Sequence, residues 1–199
     1  MTELQDFAEE LGLSVESLVR LGIGWSDKHR AWSFPMRGAD HHVCGIRLRS
    51  WIGRKWAIRG SREGLFVPTG LDFTCPLVVC EGPTDTAAMT DLRFEAIGRP
   101  SCLGGVKLLV DLVRNKKPPA VVILADGDTP GRRGAEALAS DLASVCRSVR
   151  VVQPPAEIKD CREWKLSGAT HDDIQAVIDA ASPMVLAVTR RNRATFRKD

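Results

Sequence analysis

Apolar positions change their period twice along this chain. From residue 3 to 22 they recur at helical spacing: Leu4, Phe7, Ala8 and Leu11 share one face, Gly12 interrupts it, and Ser14 is placed to cap a second short segment carrying Val15, Leu18, Val19 and Leu21. Between residues 31 and 68 the pattern shortens to strands at 31–36, 43–49, 55–59 and 64–68, separated by Gly, Asp and Ser turns, which predicts a small antiparallel sheet. After Pro68-Thr-Gly-Leu-Asp72 short β-rich apolar runs alternate with helical periodicity. Strands are expected near 77–80, 94–97, 121–126 and 149–153, and helices near 84–92, 105–115, 131–146 and 171–181. Such alternation predicts a mostly parallel four-stranded sheet flanked by helices, with right-handed crossovers. Pro118-Pro119 ends one helix, and Pro130-Gly131 opens the next with Asp128 or Thr129 as its cap. The fold class is therefore α/β. Its expected units are a helical segment at 1–28, a small β subdomain at 29–72, the α/β domain at 73–183 and a basic tail at 184–199.

The chain has 199 residues, 27% of them charged, with a net charge of only +3, so the distribution of charge is more informative than its sum. Arg47, Arg49, Arg54, Lys55, Arg59 and Arg62 follow one another with no acid between them, and a second basic run extends from Arg190 to Lys198. Trp51 and Trp56 interleave the first run. Arginines there can neutralise phosphates while indoles stack on unpaired bases; equally, the rings can pack beneath the small sheet with the arginines as its solvated face. Lys107, after Gly104-Gly105, is a phosphate candidate or simply part of a helix start.

Six cysteines form no C-x₂-C pair, and the N-terminus does not read as a targeting segment, so reduced, buried thiols in a cytoplasmic protein are expected. No apolar run approaches the ~20 residues needed to cross a bilayer, so no membrane partner is expected. His41-His42-x-Cys44 lacks a second half and reads as a polar turn between strands rather than a zinc site. The chain has no tyrosine, which excludes a tyrosyl phosphodiester intermediate, and no G-x-x-x-x-G-K-[ST], which excludes a P-loop motor.

Chemistry concentrates where two apolar runs end in acids: Leu77-Val-Val-Cys-Glu81-Gly82 and Val121-Val-Ile-Leu-Ala-Asp126-Gly127-Asp128. Parallel strands deliver such residues to their carboxyl ends, where α/β folds do chemistry. A Glu from one strand and an Asp-x-Asp from another suit Mg²⁺ or Mn²⁺, because hard cations take carboxylate oxygens and bridge to phosphate. Each acid also has a structural role available: Asp85 at a helix N-terminus, Asp126-Gly-Asp128 as turn and cap, and Asp160 as the cap of the segment ending at Trp164.

Val79-Cys-Glu81-Gly82-Pro-Thr-Asp85 resembles the E-G-x-x-D signature of Toprim domains, and Leu124-Ala-Asp126-Gly127-Asp128-Thr-Pro-Gly131 resembles their D-x-D segment. Lys159-Asp160-Cys-Arg-Glu163-Trp164 is similar to the K-D-P-D-E-(F/W) segment of bacterial and phage DNA primases. Phe34-Pro-Met-Arg-Gly-Ala-Asp40, Val43-Cys-Gly-Ile-Arg47 and Gly60-Ser-Arg-Glu-Gly-Leu-Phe66 are similar to the subdomain that precedes Toprim in those primases. The resemblance covers about residues 30 to 180 and implies a Toprim fold. It also implies catalytic roles for Glu81, Asp126 and Asp128, and a divalent-cation site drawn from Glu81, Asp85, Asp126, Asp128 and Asp160. The activity implied is attack of a 3′-hydroxyl on a nucleotide α-phosphate, with nucleoside triphosphates and a single-stranded DNA template as partners. A basic groove beside the metal site implies template or nucleotide contacts for Arg47, Arg49, Arg54, Lys55 and Arg59.

Two departures qualify what the resemblance implies. No zinc-ribbon or helicase segment is present in this sequence, so a separate helicase or template-recognition protein is expected. Cys161 and Arg162 replace the Pro and second Asp of K-D-P-D-E. Two other classes compete with a primase: a Toprim metal-dependent nuclease, which usually lacks the preceding subdomain, and a non-catalytic nucleic-acid-binding module of the recombination-mediator type, which carries a Cys₄ finger absent here.

Overall fold

A computed structural model describes residues 3–185. The basic run from Arg190 to Lys198 lies outside the described residues. Helices α1 (Glu3–Leu11) and α2 (Val15–Arg20) open the chain. Gly12 separates them at a positive φ of 65°, and the Ser14 side chain accepts from the Ser17 amide as the α2 cap.

Strands β1 (Gly24–Ser26), β2 (Ala31–Arg37), β3 (Val43–Arg49) and β4 (Lys55–Ala57) then form an antiparallel sheet in sequence order. Its first strand was not anticipated: Gly24-Trp-Ser is too short to show a period. The expected strand at 64–68 does not join this sheet. Leu65 pairs with Arg37 at the end of β2, and Phe66 pairs with Gly98 in the second sheet, each through a single bridge. The two residues point to opposite sides, as alternation in extended chain requires, so one dipeptide joins both sheets.

The second sheet contains β5 (Leu77–Glu81), β6 (Glu95–Arg99), β7 (Val121–Leu124) and β8 (Val149–Val152) in the order β6-β5-β7-β8, all parallel. The helices among and after these strands are α3 (Pro83–Asp91), α4 (Val106–Lys116), α5 (Thr129–Leu142), α6 (Cys161–Leu166) and α7 (His171–Ala180). The α/β class and the flanked parallel sheet are as the periodicity predicts. Helix α5 begins two residues earlier than expected, because Asp128 rather than a later residue caps it and Pro130 occupies its first turn. The short α6, outside the four expected helices, covers the segment for which Asp160 is read as a cap.

Alternation along the central strands sorts the core into two faces. Val78, Cys80, Val122 and Leu124 face α1, α2, α3, α6, α7 and the small sheet, through Phe7, Trp32, Phe34, Met89, Trp164 and Ile174. Leu77, Val79, Val121 and Ile123 face α4 and α5, through Leu109, Leu112, Leu138 and Leu142. Each fully buried side chain of this size contributes about 1.5–3 kcal/mol. Helix α3 is buried from Asp85 to Thr90, and its two buried threonines are satisfied locally: the Thr86 and Thr90 hydroxyls donate to the carbonyls of Gly82 and Thr86. All six cysteines are free; Cys80 and Cys161 are buried as expected, whereas Cys75 is exposed. The His41 region is a turn as expected, and the Cys44 thiol donates to the Met36 and Glu63 carbonyls. No helix among the described residues is long and apolar enough to cross a membrane.

Candidate active site

The acids come together because two parallel strands end side by side. Val79 of β5 is level with Ile123 of β7, so Glu81 and Asp126 leave the sheet at the same edge. Gly82 turns the chain from β5 into α3 at φ 94°, a backbone conformation favouring glycine, and its amide donates to the Arg99 carbonyl at 2.9 Å. The turn packs tightly on β6: a Cβ added to Gly98 would sit 2.6 Å from the Gly82 carbonyl oxygen.

The structural roles available to the other acids are all used. Asp128 caps α5 by accepting from the Gly131 amide at 2.7 Å, and Asp160 caps α6 by accepting from the Glu163 amide at 2.9 Å. Asp85, in the first turn of α3 and 7% exposed, accepts from the Arg162 amide at 3.0 Å. The Gly127 amide donates to the Lys159 carbonyl at 2.7 Å, which ties the Asp126-Gly-Asp128 loop to the segment carrying Asp160.

These carboxylates act on one another. Burial pushes Asp126 up to about 7, and the neighbouring charges of Glu81, Asp160 and Asp128 add to the rise. Burial likewise pushes Asp85 up to about 7, with Asp160 and Asp126 contributing. Glu81 is raised by burial, opposed by Arg99 and reinforced by Asp128. Five acids therefore share one field, and Glu81 Oε1 is buried without a hydrogen-bond partner. Among the described residues no three such donors are already gathered around one ion position. The reason is visible in the caps, which turn Asp128 and Asp160 toward amides of their own helices. A buried, partnerless carboxylate oxygen among mutually repelling acids nonetheless has the chemistry a hard divalent cation requires.

Arg47 and Arg49 of β3 and Lys55 of β4 line a small cleft of about 100 Å³ together with Gly82, Pro83, Thr84 and Pro100. The basic strand pair is thus brought against the turn that follows Glu81. Arg49 is already engaged, lying 3.6 Å from Glu10 and 5.8 Å from the centre of the Phe7 ring. Arg54 sits over the Trp56 ring at 5.7 Å, outside the cleft. Arg59 and Lys107 are exposed and do not line it. The Trp51 ring lies 5.7 Å from Trp32 and 5.9 Å from Phe7, and it remains 45% exposed at the β3–β4 turn.

Sequence reasoning missed Arg99. It ends β6 as Glu81 ends β5, and the two are partners in the parallel register. The signal was present as a lone charge closing the apolar run Ala96-Ile-Gly-Arg99, the same pattern that drew attention to Glu81. Arg99 is 1% exposed, and its guanidinium stands 3.9 Å from Glu81.

No family model and no curated protein sequence matches the chain. Solved structures do. The zinc-binding and RNA polymerase domains of the Aquifex aeolicus primase superpose with a TM-score of 0.71 at 14% identity, covering 92% of this chain and 57% of that one. The primase fragment of the bacteriophage T7 primase-helicase protein gives 0.67 at 20% identity, covering 85% and 72%. The DnaG primase catalytic domain bound to single-stranded DNA gives 0.67 at 19% identity, covering 92% and 74%. This chain has the fold of the bacterial and phage primase catalytic core.

Proposed function

We propose that this chain is a primase-like nucleotidyltransferase of the Toprim type, which joins ribonucleotides into short RNA on single-stranded DNA. The observation that carries the reading is a cluster of mutually repelling acids, Glu81, Asp85, Asp126, Asp128 and Asp160, next to a cleft that Arg47, Arg49 and Lys55 line together with Gly82, Pro83 and Thr84, the turn that follows Glu81. The likeness in fold to primase cores, one of them bound to single-stranded DNA, supports it.

The residues divide the work by charge. Arg47 and Lys55 neutralise phosphates of the template or incoming nucleotide, and Trp51 offers an exposed indole face to an unpaired base. Glu81, Asp126 and Asp128, with Asp85 and Asp160 beside them, hold Mg²⁺ or Mn²⁺. When bound, the cation offsets negative charge developing on phosphate oxygens. Glu81, partly buried next to Arg99, is placed to orient the reacting hydroxyl or to complete the cation's ligands. A separate helicase or template-recognition protein supplies strand opening.

The test is incubation of the full chain with Mg²⁺ or Mn²⁺, labelled nucleoside triphosphates and single-stranded DNA, resolved by gel beside Asp126→Ala and Asp128→Ala. New short oligomers that disappear in both variants support the reading. Shortened template would make the chain a nuclease, and binding with neither product would make it a non-catalytic module.

A further inference from the structure

Arg99 stands beside the acids with most of its hydrogen-bonding capacity unused. Its Nη2 donates to the Cys102 carbonyl at 2.6 Å, but Nε and Nη1 are buried with no partner. Glu81 Oε1, 3.9 Å from Nη2, is also buried and unpartnered. A guanidinium built to brace a carboxylate closes on it as a fork, with N–H to O distances of about 2.7–2.9 Å. Here the two groups share a strand register and a buried space without closing those bonds. What Arg99 supplies to Glu81, and to Asp126 beyond it, is positive charge rather than hydrogen bonds.

That charge lies beside two of the carboxylates proposed to hold the cation. A fixed positive group a few ångströms from a ligand carboxylate in a partly desolvated site repels a dication strongly, because Coulomb energies rise as the dielectric falls. We propose that Arg99 is a built-in counter-ion that keeps the acid cluster a weak site for a free divalent cation, so that the ion is held firmly only together with a nucleoside triphosphate. The triphosphate brings the negative charge that offsets the arginine. This inference rests on the cation role proposed above for the acids.

The experiment is Mn²⁺ titration of the full chain followed by electron paramagnetic resonance, with and without a nucleotide analogue whose α–β bridge is a methylene. Removing the charge in Arg99→Met or Arg99→Gln is expected to tighten Mn²⁺ binding about tenfold without nucleotide, a factor corresponding to about 1.4 kcal/mol. Arg99→Lys keeps wild-type affinity, and the analogue narrows the gap between neutral variants and wild type. Melting curves establish that each variant is folded, with the glutamine variant standing in if the methionine variant is not. Neutral variants that bind Mn²⁺ as weakly as wild type, or more weakly, overturn the inference, as does a lysine variant that behaves like the neutral ones. Asp126→Ala separates the two levels: undiminished Mn²⁺ binding there defeats the cation reading itself, whatever Arg99 does.

Discussion

Asp85 Oδ1 accepts a hydrogen bond from the Arg162 backbone amide at 3.0 Å, across 77 positions of sequence. The bond pins the start of α6 to the first turn of α3. It also explains how the chain accommodates Arg162 at the position where the primase segment has an acid: the backbone of that residue is used, while its side chain donates to the Leu11 carbonyl.

Removing the acceptor should cost stability, and removing only its charge should not. Asp85→Ala leaves a buried amide unpaired, a loss of about 1–3 kcal/mol in urea denaturation. Asp85→Asn keeps an oxygen for Arg162 and deletes a buried charge, so without metal at about pH 8 it is expected to be at least as stable as wild type. An asparagine variant as unstable as the alanine one would show that the charge itself holds α6.

Asp85 and Asp126 predict the pH dependence of stability. Both are raised in the fold from 3.8 to about 7, so between those values the native chain retains protons that the unfolded chain has released. Their contribution to stability is therefore greatest at low pH, falls as pH rises toward 7, and is level above it. Mg²⁺ relieves the same repulsion. Its addition should raise the melting temperature more at about pH 8 than near pH 5, and an equal rise at both would separate the acids from the cation.

Cap and chemistry can be separated at Asp128. Asparagine caps a helix as well as aspartate does, so Asp128→Asn should melt near wild type, whereas Asp128→Ala loses about 1 kcal/mol with the bond to Gly131. Both should lower nucleotide joining by about a hundredfold or more, the scale for loss of one charge-stabilising group. Activity retained by the asparagine variant would reduce Asp128 to a structural cap.

Template binding should follow the cleft rather than the whole basic run. Replacing Arg47 or Lys55 with alanine is expected to flatten the dependence of log K on log salt by about 0.7 per lost phosphate contact on single-stranded DNA. Arg59→Ala, outside the cleft, should leave the slope unchanged. Equal effects at all three positions would spread the nucleic-acid surface beyond the region identified.

Strand ends were the most legible part of this molecule. A carboxylate closing an apolar run announces its own position, because burial dictates the strand and the strand dictates the edge at which it stops. Glu81 and Asp126 were found that way. Arg99 carries the same signal but was passed over, since its partner is set by the register between β5 and β6, which no local pattern records. The basic run is divided by the hairpin: Arg47 and Arg49 of β3 and Lys55, the register partner of Arg49, line the cleft, while Arg54, in the turn before β4, lies over the Trp56 ring. The 64–68 segment looked like a strand and is extended, but its two partners lie in different sheets.

That segment has a consequence for anyone dividing this molecule. The Leu65 amide and carbonyl exchange bonds of 2.8 and 2.7 Å with Arg37, and those of Phe66 exchange bonds of 2.9 Å with Gly98. The placement of the basic sheet against the sheet that carries the acids is therefore gauged by two consecutive residues rather than by a loose tether. The halves cannot be traded like cassettes: a graft cut on either side of this dipeptide discards one of its anchorages, and one inserted residue between them would turn a pairing edge away from its sheet.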